Sequence, residues 1–343
     1  MKLPILLLIA TAMSNAQNYT AQKTVVDSVE GVRLTDAKRQ TEVSIVPSIG
    51  NLAYEMKVKG KNLFWAPFSK LSEFKAKPVQ CGNPFLAPWA NRLDQDAYYA
   101  NGKKFLLNPE LGNWRRDANQ KPIHGLLVYS SAWQVVSVKA DNRWAETTSR
   151  LEFWKYPELI AQFPFAHTIE MTHRLRDGVL EVETLLQNHS TQPMPVSIGY
   201  HGYYQLHDTP RDQWKVHLAA RDHLMLSNLL IPTGERKPVS FADPLPLEGA
   251  QLDDVFSNLV RDASGRAEFY VQGNSEKLSV IYGPKYTVAV IYAPKGRNFI
   301  CFEPMSAITN AFNLAHQGIY KELQSVPPGG AWRESFWLRP SGF

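Results

Sequence analysis

The stretch at residues 196–206, VSIGYHGYYQL, holds the densest group of side chains that could do chemistry. It begins as a strand, because Val196 and Ile198 alternate with smaller residues, and then places His201 among tyrosines and glycines. Aromatic faces beside polar groups suit a sugar ring, and a histidine can give or accept a proton near neutral pH. Taken alone, the stretch is equally consistent with a half-buried histidine in an aromatic core strand.

Glu303 is a second candidate for acid–base chemistry. It closes the apolar strand FICFEP, which Pro304 ends. A carboxylate on a hydrophobic strand is costly to desolvate unless it is paired. A glutamate whose pKa is raised in this way is suited to act as a general base.

A proline-rich loop at residues 81–93, CGNPFLAPWANRL, ends in Asn91 and Arg92. Its prolines exclude a regular helix or a central strand. An arginine fixed in such a loop can form a fork to sugar hydroxyls or to a developing oxyanion. A structural salt bridge is the alternative interpretation of Arg92.

Two more candidates lie beside turns. His124 precedes Gly125 and could hydrogen-bond a ring oxygen or a hydroxyl, although a satisfied loop histidine is the simpler interpretation. Asp253 and Asp254 lie in QLDDVF, where an aspartate before Phe256 could bind vicinal hydroxyls. Two adjacent acids more often form a turn or a cap.

Several other chemistries have no motif in this sequence. There is no HExxH or comparable metal spacing, no GxSxG, no GxGxxG after a strand and no Walker loop. We therefore predict neither a metal nor a cofactor. The net charge of +5 is mild, and the basic residues are interspersed with acidic ones, so nucleic acid is set aside as a partner.

Short strands dominate the coarse secondary structure. Segments such as 41–46 and 179–186 are separated by tight turns. No segment keeps a 3.6-residue period over a dozen residues, and residues 70–76, with Leu71 and Phe74 on one face, suggest one or two helical turns. This pattern predicts a single all-β domain, a large antiparallel sandwich or barrel.

The N-terminus resembles an export signal. Lys2 precedes an apolar run at residues 3–12, and small residues follow up to Ala16. The run is too short to span a bilayer comfortably, although an N-terminal strand or a membrane tether is the alternative. We predict a signal peptide at residues 1–16, a polar lead-in at 17–38, a β domain at 39–343, and an exported protein, periplasmic or secreted.

The chain has only two cysteines, Cys81 and Cys301, so a scaffold built on disulfides is excluded. In an exported protein this pair could form a bridge, and the sequence leaves that open.

Seven motifs, in order over residues from about 40 to 338, together resemble the aldose 1-epimerases, or galactose mutarotases. They are NPFLAPWANRL, NGKKFLLN, IHGLL followed by a tryptophan, QNHSTQPMPVSIGYHGYYQL, IPTGE, QLDDVF and FEPMSAITNAFN. Each motif is moderately specific, and their joint order is much more so. The resemblance implies a galactose mutarotase-like supersandwich with few short helices and a sugar cleft on one concave face.

The resemblance also implies a reaction, the interconversion of the α and β anomers of a free aldose without a cofactor. Glu303 would be the base and His201 the acid, with the roles reversed on ring closure. This requires His201 to be charged while Glu303 is ionised. His124 and Arg92 would hold the ring oxygen O5 and neighbouring hydroxyls.

Three further residues complete the predicted substrate site. Asp253 would hold hydroxyls farther round the ring, and Asn91 and Tyr204 are also placed among the substrate-binding residues. Many family members have His-Pro-Tyr-Phe and His-Gly-Gly where this chain has HGYY at 201–204 and HGL at 124–126. These departures bear on the identity of the sugar, because Tyr204 and Leu126 would line the pocket differently.

Alternative functions remain open at this point. One is a non-catalytic carbohydrate-binding sandwich, and another is an epimerase of a phosphorylated hexose, against which an exported location argues. A polysaccharide lyase or hydrolase is a weaker third. The expected partner is a small-molecule sugar, with no membrane contact after signal cleavage, and the protein is expected to be a monomer or a homodimer.

Overall fold

The computed structural model describes residues 17–343, so the predicted signal peptide at residues 1–16 lies outside the described residues. Strands account for 49% of the structure and helices for 8%. The α-helices among the described residues are α1 (Leu71–Ala76), α2 (Pro157–Gln162) and α3 (Ala311–His316), and 3-10 turns lie at Pro109–Leu111, Phe153–Lys155 and Arg211–Gln213. The helical turn expected at residues 70–76 is α1, and its Leu71 and Phe74 are buried.

In chain order the strands are β1 (Tyr19–Val26), β2 (Val29–Asp36), β3 (Thr41–Val46), β4 (Leu52–Val58), β5 (Lys61–Asn62), β6 (Phe85–Leu86), β7 (Ala97–Ala100), β8 (Lys103–Leu106), β9 (Arg115–Arg116), β10 (Pro122–Ile123), β11 (Gln134–Ala140), β12 (Ala145–Glu152), β13 (His167–Arg176), β14 (Val179–Asn188), β15 (Met194–Val196), β16 (Gly199–Tyr200), β17 (Gly202–Tyr204), β18 (Lys215–His217), β19 (Ala220–Leu226), β20 (Pro232–Pro238), β21 (Leu245–Pro246), β22 (Leu252–Leu259), β23 (Ala267–Gln272), β24 (Lys277–Tyr282), β25 (Val288–Ala293), β26 (Ile300–Met305), β27 (Gln324–Val326) and β28 (Ala331–Ser341).

Two large antiparallel sheets pack against each other. The nine-stranded sheet runs β11-β12-β13-β14-β28-β24-β23-β18-β21, and the eight-stranded sheet runs β20-β19-β22-β25-β26-β16-β6, with β17 also paired to β26. One apolar cluster contains Val182 and Leu338 from the first sheet and Ile291 and Phe302 from the second. Burial of these inner faces is the main force that holds the layers together. The predicted all-β antiparallel sandwich is confirmed.

The polar lead-in expected at residues 17–38 is itself part of the sandwich domain. It forms β1 and β2, and β2 pairs with β3 in a five-stranded sheet with order β1-β2-β3-β4-β5. Asp36 accepts a hydrogen bond from the Gly178 N–H at 2.9 Å, which ties this sheet to the turn between β13 and β14. The boundary at residue 39 therefore matches no structural division. The sequence signal of β1 was weak because Tyr19 is its one buried residue.

The strand register decides which side chains lie on the outer face of the eight-stranded sheet. Opposed residues in antiparallel strands point to the same face. One row across β22, β25, β26 and β17 consists of Asp253, Tyr292, Cys301 and Tyr203. The next row contains Glu303, and His201 immediately precedes β17. These rows face away from the nine-stranded sheet.

The two cysteines do not form a bridge in this structure. Cys81 and Cys301 are both buried and free, and burial raises the pKa of the Cys81 thiol to about 12. Within residues 17–343, none of the helices is long and apolar enough to cross a membrane.

Candidate active site

His201 and Glu303 form a buried contact pair at the centre of the outer face. His201 Nε2 lies 3.3 Å from Glu303 Oε1, and the two residues are only 7% and 1% exposed. Glu303 is held within β26. The His201 backbone N–H donates to the Pro84 carbonyl at 2.9 Å, so the proline-rich loop fixes the histidine backbone. The structure thus brings together the predicted base and the predicted acid.

His124 packs beside His201, with the two rings edge to face and their centroids 5.2 Å apart. Its backbone has a positive φ of 64°, and its N–H donates to the Asn91 carbonyl at 2.8 Å. Gly125 is also at positive φ and lies close to the backbone of Ala87. A Cβ on Gly125 would lie 2.1 Å from the Ala87 carbonyl oxygen. Only glycine fits there, which explains the His-Gly pair physically.

Arg92 lies in the same loop cluster and is firmly paired. Its Nε donates to Asp117 Oδ2 at 2.6 Å, and its Nη1 donates to Asn91 Oδ1 at 3.0 Å. The Arg92 carbonyl accepts a hydrogen bond from the Asn310 N–H at 2.9 Å. Asn91 is buried and at positive φ. The Asn91 side chain therefore orients Arg92, and the substrate contact predicted for Asn91 stays a prediction.

Asp253 and Asp254 have separate surroundings. Asp254 accepts a hydrogen bond from His223 at 2.8 Å on the opposite side of β22. Asp253 is half-buried on the site face. Burial raises its pKa, the charge of Arg92 opposes that rise, and Asp254 adds to it. The structure thus places Asp253, and not Asp254, near the cluster.

Tyr204 is the one predicted substrate-binding residue that the structure places elsewhere. Its side chain is fully buried in the core between the large sheets, stacked on Phe64 at a centroid distance of 5.7 Å. Tyr203 takes the position on the site face and stacks on the His201 ring at 4.6 Å. Side chains alternate along a strand, so residues 201 and 203 share one face and residues 202 and 204 the other. That alternation could have identified Tyr203.

Gly202 makes room for Tyr204. A Cβ built on Gly202 would lie 2.0 Å from the Tyr204 hydroxyl oxygen and 2.3 Å from its Cζ. The tyrosine therefore folds back under the residue that follows His201, and its ring fills the space beneath that backbone.

Sequence reasoning also missed Arg115. It is a partly buried residue of β9, and its charge lowers the pKa of both His124 and His201. No motif marked it, because its position depends on the pairing of β9 with β10.

Burial controls the protonation of the pair. Burial raises the pKa of Glu303 well above its ordinary value, Asp253 adds to the rise, and Arg92 opposes it. Burial, together with the smaller effects of the charges of Arg115 and Arg92, lowers the pKa of His201 to about 3. The surroundings therefore favour a neutral His201 beside a protonated Glu303. The expected state, a charged His201 beside an ionised Glu303, stays a prediction.

Several polar atoms of the cluster have no protein partner. Glu303 Oε2, His201 Nδ1 and His124 Nδ1 are buried and make no hydrogen bond. Buried polar atoms are normally satisfied, so this arrangement suits a polar ligand that supplies the missing bonds. Among residues 17–343, no group of three or more metal-ligating side chains is arranged around a common point.

Comparison with known proteins identifies the fold. The structure is similar to a galactose mutarotase-like protein from Clostridium acetobutylicum, with a TM-score of 0.85, 20% identity, and coverage of 96% of this chain and 100% of that chain. It is also similar to galactose 1-epimerase from Lactobacillus acidophilus, with a TM-score of 0.72, 12% identity, and coverage of 96% and 100%. An aldose epimerase homologue from C. elegans gives a TM-score of 0.69 at 17% identity, over 89% and 97% of the two chains.

These likenesses define the class of protein, an all-β sandwich of the galactose mutarotase-like kind. The sequence pattern of the aldose 1-epimerase family matches residues 33–339. The chain therefore belongs to the aldose 1-epimerase family, which implies a small sugar as its substrate.

Replacing Gly202 with alanine should destabilise the fold. The added methyl would overlap the Tyr204 ring, and overpacking of this kind costs about 1–3 kcal/mol. Denaturant unfolding of the wild type and Gly202→Ala measures the difference in the free energy of unfolding.

The matched control is the same change in a Tyr204→Leu background. Contacting residues are energetically coupled, so the alanine should cost less where the ring is absent. An equal cost in both backgrounds would show that Tyr204 does not fill the space beneath Gly202.

Proposed function

We propose that this protein is an aldose 1-epimerase that interconverts the α and β anomers of an aldose by opening and closing the ring. The observation that supports this most strongly is the buried contact between His201 Nε2 and Glu303 Oε1. A carboxyl group and an imidazole in contact can exchange protons with two neighbouring oxygens of one substrate.

Ring opening needs two proton transfers at one carbon. The C1 hydroxyl loses its proton, the C1–O5 bond breaks, and O5 gains a proton. In the proposed direction Glu303 takes the proton from the C1 hydroxyl and His201 gives one to O5. Ring closure on the other face of the aldehyde reverses both transfers and yields the other anomer.

The pair carries one proton throughout. Burial raises the pKa of Glu303 and so favours the proton on that carboxyl group, and the 3.3 Å contact with His201 Nε2 gives the proton a path to the imidazole. Sugar hydroxyls that bond to the carboxylate favour this transfer, because hydrogen bonds to a charged form stabilise it. The neutral pair and the ion pair therefore differ only in the position of one proton.

The surrounding side chains support the binding of a sugar. Burial lowers the pKa of His124 well below its ordinary value, so it remains a neutral hydrogen-bonding group for O5. Arg92 is held by Asp117 and Asn91 and offers donors to hydroxyls. Tyr203 and Tyr292 give apolar surface beside Asp253, a combination suited to a pyranose ring.

Glu303→Gln and His201→Asn should each slow anomer interconversion by roughly 10²–10⁴-fold, because each removes one proton transfer. The measurement is polarimetry on freshly dissolved α-glucose and α-galactose with purified, folded variants.

Glu235→Gln and His217→Asn are the matched controls, since both residues are outside the cluster and at least partly exposed. Both should retain wild-type rates. A Glu303→Gln protein as fast as the wild type would contradict the role of Glu303. Sugar binding without any acceleration by the wild type would favour a carbohydrate-binding protein instead.

The rate should stay level across neutral pH and fall on both sides. On the acid side, protonation of His201 gives the pair two protons, and the rate falls. Because the pKa of His201 is lowered to about 3, this fall in rate should occur far below neutral pH. On the alkaline side Glu303 loses the only proton, at a pKa raised well above its ordinary value. NMR rates over a pH series, corrected for buffer catalysis, measure both limbs. An acid limb centred near 6.5, the ordinary value for histidine, would contradict this account.

A further inference from the structure

Arg115 is a cation near the site that has no acidic partner. Its guanidinium carbon lies 5.2 Å from the centroid of the Tyr129 ring, and its Nη2 is buried without a hydrogen bond. Within residues 17–343, no carboxylate lies within salt-bridge distance of it, whereas Arg92 is paired with Asp117 at 2.6 Å. A buried polar atom without a hydrogen-bond partner is costly, so the Nη2 of this guanidinium is suited to an anion that comes from outside the protein.

The strand register places Arg115 on the same side as Arg92. Ile123 is opposed to Arg115 between β9 and β10, and it is also bridged to Arg92. Opposed residues in antiparallel pairs project to one side. The backbone positions of Arg115 and Arg92 therefore flank Ile123 with their side chains on one side, and His124 is the next residue along the chain.

Arg115 lies on the histidine side of the catalytic pair, because it is opposed to Ile123, the residue that directly precedes His124. Its charge lowers the pKa of His124 and of His201 more than the charge of Arg92 does. Glu303 responds to Asp253 and Arg92 instead. In the proposed reaction the histidines face O5, and O5 is bonded to C5, which bears C6. A substituent on C6 is therefore the part of a hexose that would come nearest to Arg115.

We propose that Arg115 is a specificity-determining residue that binds an anionic group on C6 of the sugar. The preferred substrate is then an acidic aldose, either a hexuronate or a hexose 6-phosphate. This inference rests on the proposed epimerase function and adds the class of sugar to it. Carboxylate and phosphate both accept paired hydrogen bonds from a planar guanidinium, so the two sources share one chemistry.

An anion at this position would also assist the reaction. The anion would offset the positive charge of Arg115, which opposes protonation of His201. Ring opening requires a protonated His201, because His201 donates the proton to O5. A neutral hexose leaves the charge of Arg115 uncompensated.

The test is a comparison of kcat/KM for anomer interconversion of glucose, glucuronate and glucose 6-phosphate. The wild type should favour at least one of the two acidic sugars over glucose by about tenfold or more, and the difference between the acidic sugars identifies the source of the anion. Arg115→Gln should reduce the ratio of acidic to neutral kcat/KM by about tenfold. Arg115→Lys, which keeps the charge but loses the fork, should give an intermediate ratio and also serves if the glutamine variant folds poorly.

Arg116→Gln is the matched control. Arg116 is the exposed neighbour in β9, projects to the other side and is held by Asp96 through two hydrogen bonds of 2.8 and 2.6 Å. The ratio of acidic to neutral kcat/KM in Arg116→Gln should equal that of the wild type. If the wild type accelerated the reaction of glucose but preferred neither acidic sugar, the role of Arg115 would be overturned and the proposed function would stand. The same conclusion would follow if both Arg115 variants kept the wild-type ratio of acidic to neutral kcat/KM. No acceleration with any of the three sugars would instead contradict the proposed function.

Discussion

Burial of the Glu303 carboxyl group against His201 is the interaction on which the site depends. A carboxyl group that is almost fully buried is disfavoured as an anion, and His201 at 3.3 Å is its direct polar neighbour. The sheet fixes Glu303 through β26, and the proline-rich loop fixes His201 through the carbonyl of Pro84. In the proposed mechanism, the same burial that makes the pair costly to charge keeps a single proton shared between the two groups.

The sandwich brings together residues that are far apart in sequence. Asp253 comes from β22 and Glu303 from β26, which are separated by β25 in the eight-stranded sheet. Arg92 and His124 come from loops that are joined by backbone hydrogen bonds. Asn91 and His124 both adopt positive φ, a conformation that is uncommon outside glycine. These backbone constraints aim the loop residues at the strand residues.

The fold and most of the cluster could be predicted from sequence, because strand alternation and the joint order of the motifs are local or linear signals. The protonation of the pair could not, since it depends on how completely the folded chain excludes water from Glu303. Tyr204 was misplaced because it was assigned from the motif resemblance, whereas the alternation along the strand puts Tyr203 on the site face. Arg115 became visible only through the pairing of two-residue strands.

The central claim is that this buried pair catalyses exchange between anomers. Two-dimensional exchange NMR on an equilibrated aldose tests it directly, because α and β anomeric protons give separate signals. With catalytic amounts of the protein, we predict exchange between those signals faster than in buffer and no new reducing ends. Exchange at the buffer rate across neutral and acidic aldoses that bind the protein would contradict the claim.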